Sequence, residues 1–160
     1  YADWSAQKAE QRAVVVYDSM WHSTETMARK IAEGLAAEAV IVRPMNLKYC
    51  DRSDVMTEVM RARAVVVGSP TLNNQMFPTV MDLLVYMKGL KPRNKMAAAF
   101  GSYGWSGEAV KQIRDELEAM KLELIDDPGL KIQYVPDADG LDACVEFGRR
   151  IGRAVKNGGA

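Results

Sequence analysis

The sequence predicts an α/β fold, a doubly wound parallel sheet of five strands with helices on both faces. Three observations predict it. Short apolar runs alternate with helical patterns along the chain, the signature of a parallel sheet with crossover helices. The runs are apolar almost throughout, as strands covered on both faces must be. The chain of 160 residues is one domain, long enough to bury a sizeable core.

The elements follow in order. The run 13–17, Ala13-Val14-Val15-Val16-Tyr17, reads as the first strand, and Met27, Ile31 and Leu35 share one face of the helix after it. A strand at 39–42 precedes a helix with Val55, Met56, Val59 and Met60 on its apolar side. The strand at 64–68 leads to a helix that opens at Pro78, where a missing N–H costs nothing. That helix carries Val80, Leu84 and Met87, with Gly89 as its expected stop. After a strand at 96–100, Val110, Ile113, Leu117 and Met120 step by three or four along the fourth helix. The strand at 130–135 differs, because Lys131 and Gln133 interrupt it in alternation and predict an edge. The last helix is expected from near Asp137 to Gly158-Gly159, with Leu141, Cys144, Val145, Gly148, Ile151 and Val155 inward. No internal repeat or low-complexity tract is visible. For this size the favoured strand order is 2-1-3-4-5. Residues 1–11, polar apart from Trp4, read as a leading linker, and 12–158 as the domain. A chain opening on Tyr1 is expected to be an excised or processed piece of a longer protein.

Composition excludes several functions. Charge is balanced, 21 basic against 21 acidic residues, which argues against nucleic-acid binding. No apolar run reaches the roughly 18 residues of a membrane span, and no signal peptide is visible. Cys50 and Cys144 are far apart with no C-x-x-C, which disfavours disulfide frameworks and cysteine-ligated zinc or iron–sulfur sites. The cytoplasm is the simplest compartment. With His22 as the one histidine, a histidine-rich metal centre is not expected in this chain.

In a doubly wound sheet, ligands bind outside the carboxyl ends of the strands, so the loops after the first, third and fourth runs matter most. The first holds Ser19-Met20-Trp21-His22-Ser23-Thr24. Its three hydroxyls, without lysine or arginine, open onto a helix start. That pattern suits a phosphate held by neutral donors and the helix dipole. The plain alternative is helix capping by Ser23 or Thr24; His22 reads as a solvated loop residue rather than a catalyst. The second loop is Gly68-Ser69-Pro70-Thr71-Leu72-Asn73-Asn74. Pro70 restricts Ser69 to extended geometry, and Asn73-Asn74 tolerates left-handed turns. The amides and carboxamides suit the polar edge of a planar heterocycle; alone, the loop reads as an ordinary β–α connection. The third is Gly101-Ser102-Tyr103-Gly104-Trp105-Ser106-Gly107. Its glycines let backbone approach a ligand, and Tyr103 and Trp105 supply flat faces for a ring. Its spacing is not the dinucleotide G-x-G-x-x-G, and no phosphate-binding G-x-x-x-x-G-K-[ST] is present.

Together the three segments resemble the flavodoxin-like FMN domain of flavodiiron proteins (A-type flavoproteins). The likeness runs over nearly the whole chain, including Asn94-Lys95 before the fourth strand and the segment around Trp4. The resemblance implies that Ser19, Met20, Trp21, His22, Ser23 and Thr24 bind the FMN phosphate. It implies that Pro70, Thr71, Leu72, Asn73 and Asn74, with Ser102, Tyr103, Gly104, Trp105, Ser106 and Gly107, hold the isoalloxazine ring, Tyr103 or Trp105 lying against it. It also implies a partner, a metallo-β-lactamase-like domain in the same or a neighbouring chain, whose di-iron site reduces oxygen or nitric oxide. A rubredoxin or flavin reductase would be the electron donor, and the parent a homodimer or homotetramer. No sequence matching the di-iron domain is present, nor the paired C-x-x-C of a rubredoxin.

The expected function is thus FMN-based electron transfer. Stand-alone flavodoxins as a family are strongly acidic; this chain is neutral, which predicts a smaller penalty on the anionic, fully reduced flavin. Two rivals were weighed. A flavodoxin-like NAD(P)H:quinone reductase shares FMN and fold but needs an open pocket over the ring. A receiver-like signalling module would use Asp18 but also needs an acceptor aspartate after the third strand, where Gly68-Ser69 stands.

Overall fold

The structure, a computed structural model, describes residues 10–19, 22–72, 75–93, 95–104, 107–125, 129–133 and 136–158. In chain order the elements are β1 (Glu10–Tyr17), α1 (Ser23–Ala37), β2 (Ile41–Asn46), α2 (Arg52–Arg61), β3 (Ala62–Gly68), β4 (Thr71–Leu72) and β5 (Gln75–Met76). There follow α3 (Pro78–Leu90), β6 (Met96–Tyr103), α4 (Glu108–Ala119), β7 (Glu123–Leu124), β8 (Leu130–Gln133) and α5 (Ala138–Gly158).

The main sheet runs β2-β1-β3-β6, every pair parallel. Its fifth position is split: β7 pairs with β6 at Met96 and Ala97, and β8 pairs with it from Phe100 to Tyr103. This is the predicted 2-1-3-4-5 order, with the last strand in two pieces. Valine- and alanine-rich strands send alternate side chains to opposite faces. On one face Val14, Val16, Val65, Val67, Ala97 and Ala99 pack with Val55, Val59, Val80, Leu84, Ile113 and Leu117 of α2, α3 and α4. On the other, Ala13, Val15, Val66, Ala98 and Phe100 pack with Met27, Ile31 and Leu35 of α1 and Cys144, Phe147, Ile151 and Val155 of α5. Phe147, absent from the predicted inner face of the last helix, is fully buried.

Three expectations need correction. The second strand is Ile41–Asn46, not 39–42, because Ala39 and Val40 end α1 instead. Ala39 takes a left-handed φ of 63°, its N–H donates to Ala36 O (3.0 Å), and Val40 N–H donates to Leu35 O (3.2 Å). This is a Schellman closure with alanine where glycine is usual. Likewise Gly89 does not stop α3. The helix runs one residue further to Leu90 and turns at Lys91, φ 50°, just before Pro92. The loop after the third strand is no plain connection either, because β4 and β5 pair in it as an antiparallel hairpin. Tyr134 and Val135, expected in the last strand, lie outside the described residues, as do Trp4 and Asn94.

Two contacts hold the frame. Helices α1 and α5 cross where Gly148 has no side chain: a Cβ there would lie 2.1 Å from Ile31 O and 3.1 Å from Gly34 Cα. At the amino end of β6, buried Lys95 donates through Nζ to Met60 O (3.1 Å) and Ala62 O (2.6 Å), carbonyls at the end of α2. Burial, with a smaller push from the Arg63 charge, pulls the Lys95 ammonium down to about 8.

Two measurements follow. Gly148→Ala forces the backbones apart and is expected to cost about 1–3 kcal/mol or more in urea unfolding; an unchanged midpoint would mean the helices close without strain. For Lys95, the unfolded chain keeps its proton up to the ordinary 10.5 while the native state releases it near 8. Within that window the unfolded state binds more protons, so native stability rises with pH. Stability of the wild type is therefore expected to grow relative to Lys95→Met as pH rises from about 8 to 10.5. A constant difference between the two proteins would contradict it.

Candidate functional site

The three candidate loops meet because their strands end level. Tyr17 pairs with Gly68, and Gly68 pairs with Phe100. Asp18 N–H donates to Gly68 O (3.4 Å) and Ser69 N–H to Phe100 O (3.2 Å). Neither neighbour leaves room for a side chain. A Cβ on Gly68 would lie 2.1 Å from the Phe100 ring, and one on Gly101 2.3 Å from Ser69 O.

In the first loop, buried Asp18 accepts Ser19 N–H on Oδ1 (2.7 Å) and the Thr79 hydroxyl on Oδ2 (2.5 Å). Thr79 belongs to the first turn of α3, so this carboxylate ties the loop to that helix. The Ser19 hydroxyl is buried and has no hydrogen-bond partner. His22, at φ 66° and ψ −1°, is the N-cap of α1, and its side chain makes no capping bond to the helix. Thr26 N–H donates back to His22 O (2.9 Å); the amides before it have no partner within the helix, as geometry requires. The capping alternative for Ser23 or Thr24 is therefore not what the structure has. Thr24 is buried instead, its Oγ1 2.8 Å from Ser102 Oγ. His22 is exposed, with Nδ1 2.9 Å from Glu25 Oε2, and this contact holds the Glu25 carboxyl below the ordinary glutamate range.

The second loop folds as the β4–β5 hairpin. Its base is closed by Ser69, whose hydroxyl donates to Pro70 O (2.8 Å) and accepts Phe77 N–H (2.8 Å). Pro70 is buried. Thr71 Oγ1 accepts Ala109 N–H (3.3 Å), and Gln112 Oε1 accepts Met76 N–H (2.9 Å). Both bonds clasp the hairpin to α4. Leu72 is the last residue of β4. In the third loop Ser102 is buried, Tyr103 and Gly104 are half-buried, and Gln133 Nε2 donates to Gly104 O (3.1 Å). Gly107 is the N-cap of α4 and has no side chain to cap it; Thr71 takes the Ala109 N–H in its place.

Ser19, Ser23, Thr24, Ser102, Tyr103, Gly104 and Gly107 thus lie on the first and third loops, joined by the Thr24–Ser102 bond. Pro70, Thr71 and Leu72 lie on the hairpin beside them. Met20, Trp21, Asn73, Asn74, Trp105 and Ser106 lie outside the described residues. The supporting roles of Asp18, Thr79, Gln112 and Gln133 escaped sequence reasoning. Each acts across separations of 29 to 61 residues, and no local pattern marks them; Thr79 stands 61 positions from Asp18.

Chemically, the first loop offers a buried hydroxyl without a partner, an uncapped helix start, and a second hydroxyl backed by Ser102. That is a neutral donor set of the kind that takes up an anion. Among the described residues, no group of three or more His, Cys, Asp or Glu is placed to hold a metal. No described helix is long and apolar enough to cross a membrane.

The family described as Flavodoxin matches residues 15–148 of this chain. The chain belongs to the flavodoxin family. A nitric oxide reductase of Moorella thermoacetica is 45% identical over 155 residues, which are 97% of this chain and 39% of that protein. A rubredoxin-oxygen oxidoreductase of Megalodesulfovibrio gigas is 42% identical over 98% of this chain and 39% of its own length. Among solved structures, the flavodiiron protein of Giardia intestinalis superposes with a TM-score of 0.94 at 30% identity, covering 99% of this chain and 40% of that one. An archaeal flavodoxin superposes with a TM-score of 0.83 at 32% identity, over 91% of this chain and 99% of its own. This flavodoxin-family chain therefore corresponds to the flavodoxin-like domain of flavodiiron proteins and spans about 39% of the length of those curated relatives.

FMN is the cofactor that membership of the flavodoxin family implies. The residues present fit it: the orphaned Ser19 hydroxyl and the open start of α1 suit a dianionic phosphate. Replacing Thr24 with Ala is expected to weaken FMN by about 1–3 kcal/mol, the loss of one hydrogen bond to a charged group. Fluorescence quenching titration measures this, and unchanged affinity would remove Thr24 from the phosphate site.

Proposed function

We propose that this chain is an FMN electron-transfer domain that serves the di-iron site of a flavodiiron oxygen or nitric oxide reductase. The observation that carries the reading is the buried, unpartnered Ser19 hydroxyl beside an uncapped helix, on a chain whose relatives are named for nitric oxide and oxygen reduction. Bound FMN supplies one-electron steps in either direction. The chain's own residues do the rest. Ser19, Ser23, Thr24 and the amides of residues 20–24 bind the phosphate without a cation, the Ser19 amide being held by Asp18. Asp18 and Thr79 hold that loop against α3. The hairpin from Pro70 to Asn74 and the loop from Ser102 to Gly107 enclose the ring, with Tyr103 or Trp105 against its face.

The proposal further covers the domain boundary and the partners: the division expected at 1–11 and 12–158 moves to residue 10, because Glu10 and Gln11 already belong to β1. Electrons come from a rubredoxin or flavin reductase; the Megalodesulfovibrio gigas relative is named for rubredoxin. They leave for a di-iron, metallo-β-lactamase-like domain of the same or a neighbouring chain in a homodimer or homotetramer. A tethered acceptor needs no long-range steering by charge, since effective concentration replaces it; the neutral balance of 21 basic and 21 acidic residues accords with that. The cytoplasm is the proposed compartment, in keeping with free Cys50 and Cys144.

The test is direct. Purified protein mixed with FMN is expected to give a yellow, flavin-type spectrum that reductant bleaches. It is expected to show no steady-state oxidation of NADH with a quinone unless a reductase is added. A protein that stays colourless in excess FMN overturns the proposal; brisk turnover with NADH and quinone alone makes it a quinone reductase instead.

A further inference from the structure

The edge strand β8 carries two side chains that lie outside the core, Lys131 and Gln133. Leu130 and Ile132 pack into the α1–α5 layer. Alternation sends Lys131 and Gln133 to the opposite face, toward the third loop. Gln133 is used there, bonding Gly104 O. Lys131 is exposed, and its stem lies over Gly107: a Cβ on that glycine would come 2.8 Å from Lys131 Cδ, 3.6 Å from its Nζ and 3.5 Å from Tyr103 Cδ1.

Among the described residues the Lys131 side chain makes no ion pair or hydrogen bond, and Glu108, the acid next to Gly107, has a partner of its own. Gly107 is also the N-cap of α4, the positive end of that helix, where Thr71 Oγ1 accepts the Ala109 N–H and Glu108 stands in the first turn. A cation beside a helix amino end is unfavourable. Lysine stem, helix start and Tyr103 therefore converge on one side of the third loop.

We infer that Lys131 favours the fully reduced, anionic flavin ring and so sets the second of the two one-electron potentials. The inference rests on the proposed FMN function. In that step the singly reduced, neutral ring gains one electron from the donor without a proton and acquires one negative charge. A fixed positive charge near the ring favours the product over the reactant, one of the ways a protein tunes a flavin. A unit charge within about 12 Å, at an effective dielectric near 20, changes such an equilibrium about tenfold.

The experiment is an anaerobic redox titration of the full chain loaded with FMN, with dithionite as the electron source. Lys131→Met keeps the stem and removes the charge, Lys131→Glu inverts it, and Lys131→Arg keeps it. The second potential is expected to fall by a tenfold change in equilibrium constant, about 59 mV for one electron, in Lys131→Met. It falls further in Lys131→Glu and stays at the wild-type value in Lys131→Arg, while FMN affinity of the oxidised proteins is little changed. Bound FMN with an unmoved second potential in both Lys131→Met and Lys131→Glu overturns this inference alone. Failure of the wild type to take up FMN overturns the proposed function and the inference with it.

Discussion

The site depends on how closely β3 and β6 approach at their carboxyl ends. The Phe100 ring occupies the space a side chain on Gly68 would fill, and Ser69 O occupies the space beside Gly101. Backbone therefore meets ring on one side and backbone on the other, which brings the second and third loops into contact. Ser69 then closes the base of the β4–β5 hairpin through Phe77 N–H, and Thr71 and Gln112 clasp that hairpin to α4. Widening the approach at either glycine would move every one of these groups.

The first loop is attached to the same frame by two polar contacts. The Asp18 carboxylate reaches Thr79 on α3, and the Thr24 hydroxyl reaches Ser102 on the third loop. Both bonds lie in or beside the core, where an unmade hydrogen bond is costly. Their cost is accepted while the start of α1 is left uncapped and a serine hydroxyl unpaired. A structural loop would reverse those choices, capping the helix with Ser23 or Thr24 and leaving few polar atoms buried. Local stability has been given up where an anion would restore it.

Much of the architecture was legible in the residues. The apolar runs marked the three central strands, β1, β3 and β6, and Met27, Ile31 and Leu35 or Val110, Ile113 and Leu117 marked helical faces, because burial against a sheet selects for that spacing. Helix ends were harder. Ala39 and Lys121 both take left-handed φ values of 63° and close Schellman turns, with Leu122 N–H bonding Leu117 O (3.4 Å) in the second. Sequence reasoning looks for glycine at such positions, so it found a stop at Gly89, where none exists, and carried the second strand into residues that end α1. The hairpin was missed for a related reason. Two-residue strands carry no periodicity, and only pairing between Leu72 and Gln75 defines them.

By itself the sequence determined which strands form the layer, their order, and which three loops leave the carboxyl ends of β1, β3 and β6. Those properties follow from hydrophobic periodicity and from the handedness of parallel crossovers, both readable along the chain. Only the tertiary structure decided how the loops are held: Asp18 to Thr79, Thr24 to Ser102, Gln133 to Gly104, and the Lys131 stem across Gly107. These contacts join residues far apart in the chain, and a hydrogen bond or a fixed charge acts over a few ångströms. Their partners come within that reach only after the sheet has aligned the strand ends.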